Sequence, residues 1–196
     1  LYTGGKIMPI NLSKGQKVDL TKGNPGLKNI MVGLGWDVNA FDSGDSFDLD
    51  AAAFMLGANG KVRNDADFIF YNNKVGAGVE HTGDNRTGEG DGDDENMFVN
   101  FSRISPEVHK VIVCVVIYSA RTRGQSFKNV RNAYVRLVDQ ATRPEKEICR
   151  YNLTEDGGSA TAIEFAELTR NPNGWSFKAL GNYVNASIED IRNSYR

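Results

Sequence analysis

The densest concentration of reactive side chains is the stretch GDNRTGEGDGDDE, residues 83–95, where six carboxylates (Asp84, Glu89, Asp91, Asp93, Asp94 and Glu95) accompany one guanidinium, Arg86. Such a segment repels itself. Its four glycines, Gly83, Gly88, Gly90 and Gly92, permit tight and left-handed turns that bring neighbouring carboxylates and carbonyls to one point. Converging hard oxygens suit a hard cation. Calcium takes roughly six to eight oxygens in loose geometry, whereas magnesium demands a smaller octahedron and keeps its waters, so the donor count favours calcium. A second acidic set comes earlier: Asp37 after GLGW, Asp42 and Asp45 in a polar loop, then Asp48 and Asp50 in FDLDAAAF. In a strand, residues 48 and 50 share a face while Phe47 and Leu49 take the core side, which would hold two ligands rigidly at a sheet's end. With both sets at one end, about seven to nine carboxylates gather, a charge that about two ions balance better than one.

Other chemistries fit less well. Asp84 to Glu95 has the length of an EF-hand loop, but Glu89 stands where the sharp-turn glycine belongs and Arg86 where a ligand belongs, and no amphipathic helices flank it. Zinc has only His81, His109 and two core-like cysteines to draw on. His81 reads as a strand-end surface histidine, with support of a ligand as the other reading. Paired ions roughly 3.5–4 Å apart can activate water on a phosphoester, which makes a metal-dependent phosphoesterase the rival from a different class. No base or nucleophile apart from His81 accompanies the carboxylates, so the expectation is a binding module and not an enzyme. A further alternative is calcium-dependent docking to anionic lipid. The plain alternatives are a solvated acidic loop for 83–95, and carboxylates bonded to turn amides for Asp48 and Asp50. Arg121, Arg123, Lys128 and Arg131 around Phe127 read as solvation and salt bridging, with an anion or nucleic-acid patch as the other reading. The GxG of MVGLGWD lacks a third glycine and a following helix, so Gly33 and Gly35 mark a bulge or a close approach in a strand.

The elements that position these groups are short strands. LKNIMVGLGW (27–36), AAAFMLG (51–57), DFIFYN (67–72), MFVNF (97–101), KVIVCVVIY (110–118), AYVRLVD (133–139) and EICRYNL (147–153) have strand composition and are separated by turn signals. Residues 161–180 read as a hairpin about the NPNG turn at 171–174, with Trp175, Phe177 and Ala179 facing Ile163 and Phe165. Ser187 is placed to cap a final helix carrying Ile188, Ile191 and Tyr195 on one side. Trp36, Phe54, Phe68, Phe70, Phe98, Trp175 and Phe177 are core candidates. Some ten strands imply an all-β sandwich or barrel, in which loops distant in sequence cluster at one end.

The 196 residues, 40% apolar and 24% charged, fit one soluble domain with one core. A net charge of -2 gives no reason to expect nucleic acid. No apolar run approaches the roughly 20 residues of a membrane span, and a cytoplasmic protein is the default. Cys114 and Cys149 read as buried free thiols. Residues 1–7, LYTGGKI, read as an expression scar or leader, leaving 8–196 as the single domain.

INLSKGQKVDLTKGNPGL, MVGLGWD, FDLDAAAF, DADFIFYNN, GDNRTGEGDGDDE and AYVRLVD together resemble the TerD family of tellurium-resistance and general-stress proteins, over nearly all of the chain from Met8. The resemblance implies a β-sandwich of two mainly antiparallel sheets, with short helical segments that include one near the C-terminus and with calcium at one end. It also implies a cytoplasmic setting reaching to the inner face of the membrane, and a role in stress or tellurite resistance through protein partners, among them a TerC-like membrane protein. Carried over to this chain, the ligands fall on Asp48, Asp50, Asp84, Asn85, Asp91, Asp93, Asp94 and Glu95, with Asp37 beside them. The ending NYVNASIEDIRNSYR lies outside the matched motifs.

Overall fold

In the computed structural model of the chain, residues 8–38, 47–82 and 92–196 are described. Their apolar runs form strands, and the strands form two six-stranded sheets. The first sheet runs β1 (Ile10–Leu12), β10 (Lys146–Asn152), β9 (Val130–Asp139), β3 (Asn29–Val38), β7 (Glu95–Asn100), β6 (Val79–His81). The second runs β2 (Lys17–Asp19), β12 (Gly174–Val184), β11 (Ala162–Asn171), β8 (Lys110–Ile117), β4 (Leu49–Leu56), β5 (Phe68–Ile69). Among the described pairings β1 with β10 is parallel and the others are antiparallel. Three short helices accompany them: α1 (Leu20–Gly23), α2 (Ala120–Arg123) and α3 (Ile188–Ser194).

Alternation decides which side chains fill the space between the sheets. From β3 come Ile30, Val32, Leu34 and Trp36; β4 contributes Leu49, Ala51, Ala53 and Met55; β8 contributes Val111, Val113, Val115 and Ile117. The second sheet is apolar on its outer face as well. There Ala52, Phe54, Phe68, Ile112, Cys114 and Val116 pack together with Ile191 of α3, while Ile188 and Tyr195 add to the cover. Ser187 caps that helix as its sequence predicts: its hydroxyl accepts from Asp190 N–H at 3.1 Å and its own N–H donates to the Asp190 carboxylate at 2.9 Å. A seven-residue helix has little stability alone, so its apolar side against the sheet holds it.

Several details differ from the sequence reading. The 67–72 strand shrinks to Phe68–Ile69, because Asn64 caps a single 3-10 turn at Asp65–Asp67 and the chain turns again after Phe70. The 161–180 segment is the expected hairpin, but its register is tighter: Trp175, Phe177 and Ala179 face Arg170, Leu168 and Ala166, and a bulge between Glu164 and Ala166 shifts the rest. Phe70 and Phe98 are half-buried, whereas Trp36, Phe54, Phe68, Trp175 and Phe177 are buried. Both cysteines are buried and free. Burial lifts the Cys149 thiol to about 12 and the Cys114 thiol well above its usual range, so neither is a reactive thiolate.

The C-terminal ends of β3 and β6 and the N-terminal ends of β4 and β7 come together at one end of the sandwich. Leu34 sits opposite Glu95, His81 opposite Met97, and Glu95 reaches across to Ala51. Val38, Phe47, Thr82 and Gly92, the described residues that flank 39–46 and 83–91, belong to this same end.

Candidate functional site

Three consecutive carboxylates at the start of β7 take three different partners. Asp93 lies over Gly33 on the outer face of the first sheet, where a Cβ on the glycine would collide with its carboxylate. Arg136 of β9 grips it with two parallel bonds, Nε to Oδ1 at 2.8 Å and Nη2 to Oδ2 at 2.7 Å, and the Tyr134 hydroxyl donates to Oδ1 at 2.8 Å. The side chain is 5% exposed. Its bonds to Arg136 raise that guanidinium's pKa, and burial followed by the bond to Asp93 pushes the Tyr134 phenol above its usual range. Asp94 turns to the end of β3: Trp36 N–H donates to Oδ2 at 2.7 Å, and the Asp94 N–H donates to the Leu34 carbonyl at 2.7 Å. Glu95 points inward between the sheets and accepts the Ala51 N–H of β4 at 2.6 Å.

Ala51 has its neighbour β8 on one side, while on the other β5 covers only Ala53 and Phe54. Glu95 therefore supplies the acceptor that a longer β5 would have provided. His81 Nε2 lies 3.2 Å from the same Glu95 oxygen, and the two side chains are 1% and 0% exposed. The expected surface histidine is thus a buried one. Its parity explains the difference: Val79 and His81 share the inward face of β6, and a buried carboxylate is there to meet the ring.

The earlier acidic set has another geometry. Phe47 and Leu49 enter the core as alternation predicts, and Asp50 takes the outer face of the second sheet with Ala52 and Phe54. Asp50 is 5% exposed and lines a cavity of about 330 Å³ with Tyr71, Val116 and Ile188. Asp48 is half-buried, and its carbonyl extends the sheet by accepting the Tyr118 N–H at 2.7 Å. Asp37 is exposed just past a bulge in β3, and Asn132 Nδ2 donates to its Oδ2 at 2.7 Å. Asp84, Asn85 and Asp91 lie outside the described residues, as do Asp42 and Asp45.

Asp94 carries the clearest electrostatic signature. Burial raises its pKa, the Trp36 amide opposes that, and the nearby charges of Asp37 and Asp93 raise it further. A cation near Asp94 and Asp37 would relieve that strain. Oxygen donors of Asp37, Asp48, Asp50 and Asp94 fit calcium by type, with no sulfur or nitrogen among them. Among the described residues, no group of three or more His, Cys, Asp or Glu side chains converges as a metal cage. Asp93 and Glu95, expected among the ligands, are each engaged by protein groups.

The residues that sequence reading missed are Arg136 and Tyr134. Gly33 and Gly35 were their signal, since the close approach expected at these glycines is made by the Asp93 carboxylate and the Tyr134 ring. No helix among the described residues is long and apolar enough to cross a membrane.

A family model described as the TerD domain matches residues 8–195. The chain is 52% identical over 176 residues to a tellurium resistance protein TerD of Alcaligenes sp, covering 89% of this chain and 90% of that one. It is 46% identical over 190 residues to general stress protein 16U of Bacillus subtilis (strain 168), covering 96% and 97%. The crystal structure of a homologue of telluride resistance protein (TerD) from Streptomyces coelicolor A3(2) superposes with a TM-score of 0.65 at 26% identity, over 84% of this chain and 94% of that one. With its two-sheet fold, its acidic strand ends and a family match over almost its whole length, the chain belongs to the TerD family.

Proposed function

We propose that this chain is a calcium-binding stress-response module, acting in tellurite or general stress resistance by presenting an ion-ordered surface to protein partners, and that it is not an enzyme. The printed names of its relatives, tellurium resistance protein TerD and general stress protein 16U, support the biological part of this reading. The chemical part rests on one observation: Asp94 is held half-buried beside Asp37 and Asp93, at the end of the sandwich where two acidic segments attach. About two ions would be held by Asp37, Asp48, Asp50, Asp84, Asn85, Asp91 and Asp94, with Asp93 and Glu95 fixing the loop end through Arg136, Tyr134 and Ala51. Calcium supplies charge neutralisation and ordering. A membrane partner of TerC type and a cytoplasmic location belong to the same proposal.

The hydrolase alternative would use His81 as base. That ring is 1% exposed and turned to Glu95, which favours binding over catalysis. The test is calorimetric titration of calcium into chelator-stripped protein, with magnesium as competitor and an Asp50→Asn variant alongside. The expected result is about two sites that resist magnesium, with one weakened in the variant, and stabilisation of roughly 2.7 kcal/mol at a hundredfold excess over Kd. Absence of heat and of thermal stabilisation would overturn the proposal. Sedimentation with anionic liposomes, with and without calcium, separates a protein-partner module from lipid docking.

A further inference from the structure

The end of the sandwich opposite the acidic one carries side-chain amides and cations. There β3 begins at Asn29 and β7 ends at Asn100, and the two residues pair on the outer face of the first sheet, since Ile30 and Val99 take the inner one. A 3-10 turn, Phe101–Arg103, follows β7, and its Phe101 N–H donates to the Lys28 carbonyl at 2.9 Å. Gln140 joins from the end of β9, its N–H donating to the Asn29 carbonyl at 3.3 Å. Between these residues and the edge strand β6 lies a cavity of about 80 Å³. That suits one small oxyanion and falls well below the roughly 300–1,000 Å³ of pockets for whole organic ligands.

The wall of this cavity is rich in donors. Asn100 Oδ1 accepts from the Ser102 N–H at 3.1 Å and from the Ser102 hydroxyl at 2.6 Å, which fixes the amide plane and leaves its Nδ2 donor on the other side. Arg103 is exposed and makes no ion pair among the described residues, so its fork of N–H groups is available. Asn29 and Gln140 add amides that donate or accept as a ligand requires. The wall also holds one carboxylate, Glu80, at the exposed edge of β6. Asp139 precedes Gln140, but its Oδ1 is turned to the Ala141 N–H at 2.9 Å.

Cations surround the mouth. Lys28 precedes Asn29 and is exposed, and the Arg143 guanidinium is kept beside Gln140 by bonds to the Gln140 and Thr142 carbonyls at 2.9 and 2.8 Å. Such charges raise the local concentration of an anion. An apolar shoulder adjoins them, where Val75 is 65% exposed and Phe98 is half-buried.

We propose that this cavity binds a phosphoryl group, with Arg103 as the charged donor, the Asn100 and Gln140 amides completing the hydrogen bonds, and Glu80 limiting the affinity. Donors from a strand end, the turn after it and the loop after β9 approach from different directions, which suits a tetrahedral group better than a flat carboxylate. Arginine supplies the paired N–H groups that phosphate oxygens take. The phosphoryl group is that of free phosphate or of a small ester whose stem lies on Val75 and Phe98. The site shares no residue with the calcium reading and does not rest on it.

The test is an NMR titration of the full chain, stripped of calcium and freed of chelator, with inorganic phosphate, n-butyl phosphate and acetate at an ionic strength held constant with chloride. Both phosphates should shift the Arg103 Nε–H and the Asn100 and Gln140 side-chain amides saturably, with Kd values on the order of millimolar and acetate at least about fivefold weaker. Binding of n-butyl phosphate about threefold or more tightly than inorganic phosphate identifies the ester, and any smaller difference identifies free phosphate. Arg103→Gln should weaken inorganic phosphate about tenfold, and Arg103→Lys about threefold, because an ammonium lacks the paired donors. Glu80→Gln should strengthen binding about twofold. Absence of saturable shifts, equal binding of acetate, unchanged affinity in Arg103→Gln, or weaker binding in Glu80→Gln would overturn the proposal. A chain that takes calcium but no phosphate removes this inference alone. A chain that takes phosphate but no calcium removes only the calcium reading.

Discussion

Asp48 and Asp50 stand two residues apart and share one face of the second sheet, whereas Asp93 and Glu95, also two apart, go to opposite sides of the first. Asp93 lies outside over Gly33, and Glu95 lies inside against Ala51. The alternation of β4 carries back through Asp48, since Phe47 and Leu49 both enter the core. Asp93 precedes the first residue of β7, and Gly92 before it has φ +117, a backbone region open mainly to glycine. Strand parity therefore governs one pair and not the other. The pairs also differ in surroundings: Asp50 lines a cavity, Asp93 lies under Arg136 and Tyr134, and Glu95 meets Ala51 and His81. Carboxylates a few residues apart in an acidic run thus take different faces and different surroundings according to the backbone that carries them.

The largest expected effect that tests this contrast is at Glu95. Replacement by Ala leaves the Ala51 N–H and His81 without their shared acceptor inside the sandwich, and should cost about 3 kcal/mol or more in urea denaturation. A cost below about 1 kcal/mol would mean that Glu95 is no more structural than an exposed carboxylate. Next comes the Asp93–Arg136 pair. Arg136→Ala leaves a carboxylate that is 5% exposed without its guanidinium, with an expected loss of about 2 kcal/mol. A double-mutant cycle with Asp93→Asn should show coupling of about 1 kcal/mol or more, and additivity would break the contrast.

The smallest effect concerns an exposed carboxylate that also has partners. Asp65 accepts from Arg196 at 2.8 Å and pairs with Arg192 at 3.0 Å, and these bonds hold its pKa below the ordinary value. A depressed folded-state pKa gives stability that is complete above the unfolded value and is lost as pH falls through the folded one. Amide exchange in the last turn of α3 should therefore rise as pH falls below about 4, with the two sheets unaffected.

Much of this fold was legible because its longer strands are apolar or alternating runs bounded by turn signals. Ile30 to Trp36 declares an inward face, whereas Ala51 to Met55 and Val111 to Ile117 are apolar throughout and read as strands buried on both faces. The capped final helix was equally readable from Ser187 and its apolar positions. Strands of three residues such as β1, β2 and β6 were not, since so few residues establish no period and long-range pairing defines them. For the candidate site, the acidic residue types could be read, and Gly33 and Gly35 signalled a close approach. The approaching groups could not. Nothing in the spacing of Arg136 and Tyr134 links them to Asp93, more than forty residues earlier in the chain, until β9 pairs with β3.

Glu95 has one more consequence, for how copies of this chain treat one another in concentrated solution. β4, with the run LDAAAFML, is apolar on both faces, and beyond the two residues that β5 covers its rim would offer a backbone donor to any passing strand. Such a rim is a template for edge-to-edge aggregation. The Glu95 carboxylate occupies the donor at Ala51, so an intruding strand would have to displace a charged acceptor and leave it buried without a partner. A side chain from the opposite sheet thus closes, among the described residues, the donor of β4 that its short neighbour leaves over.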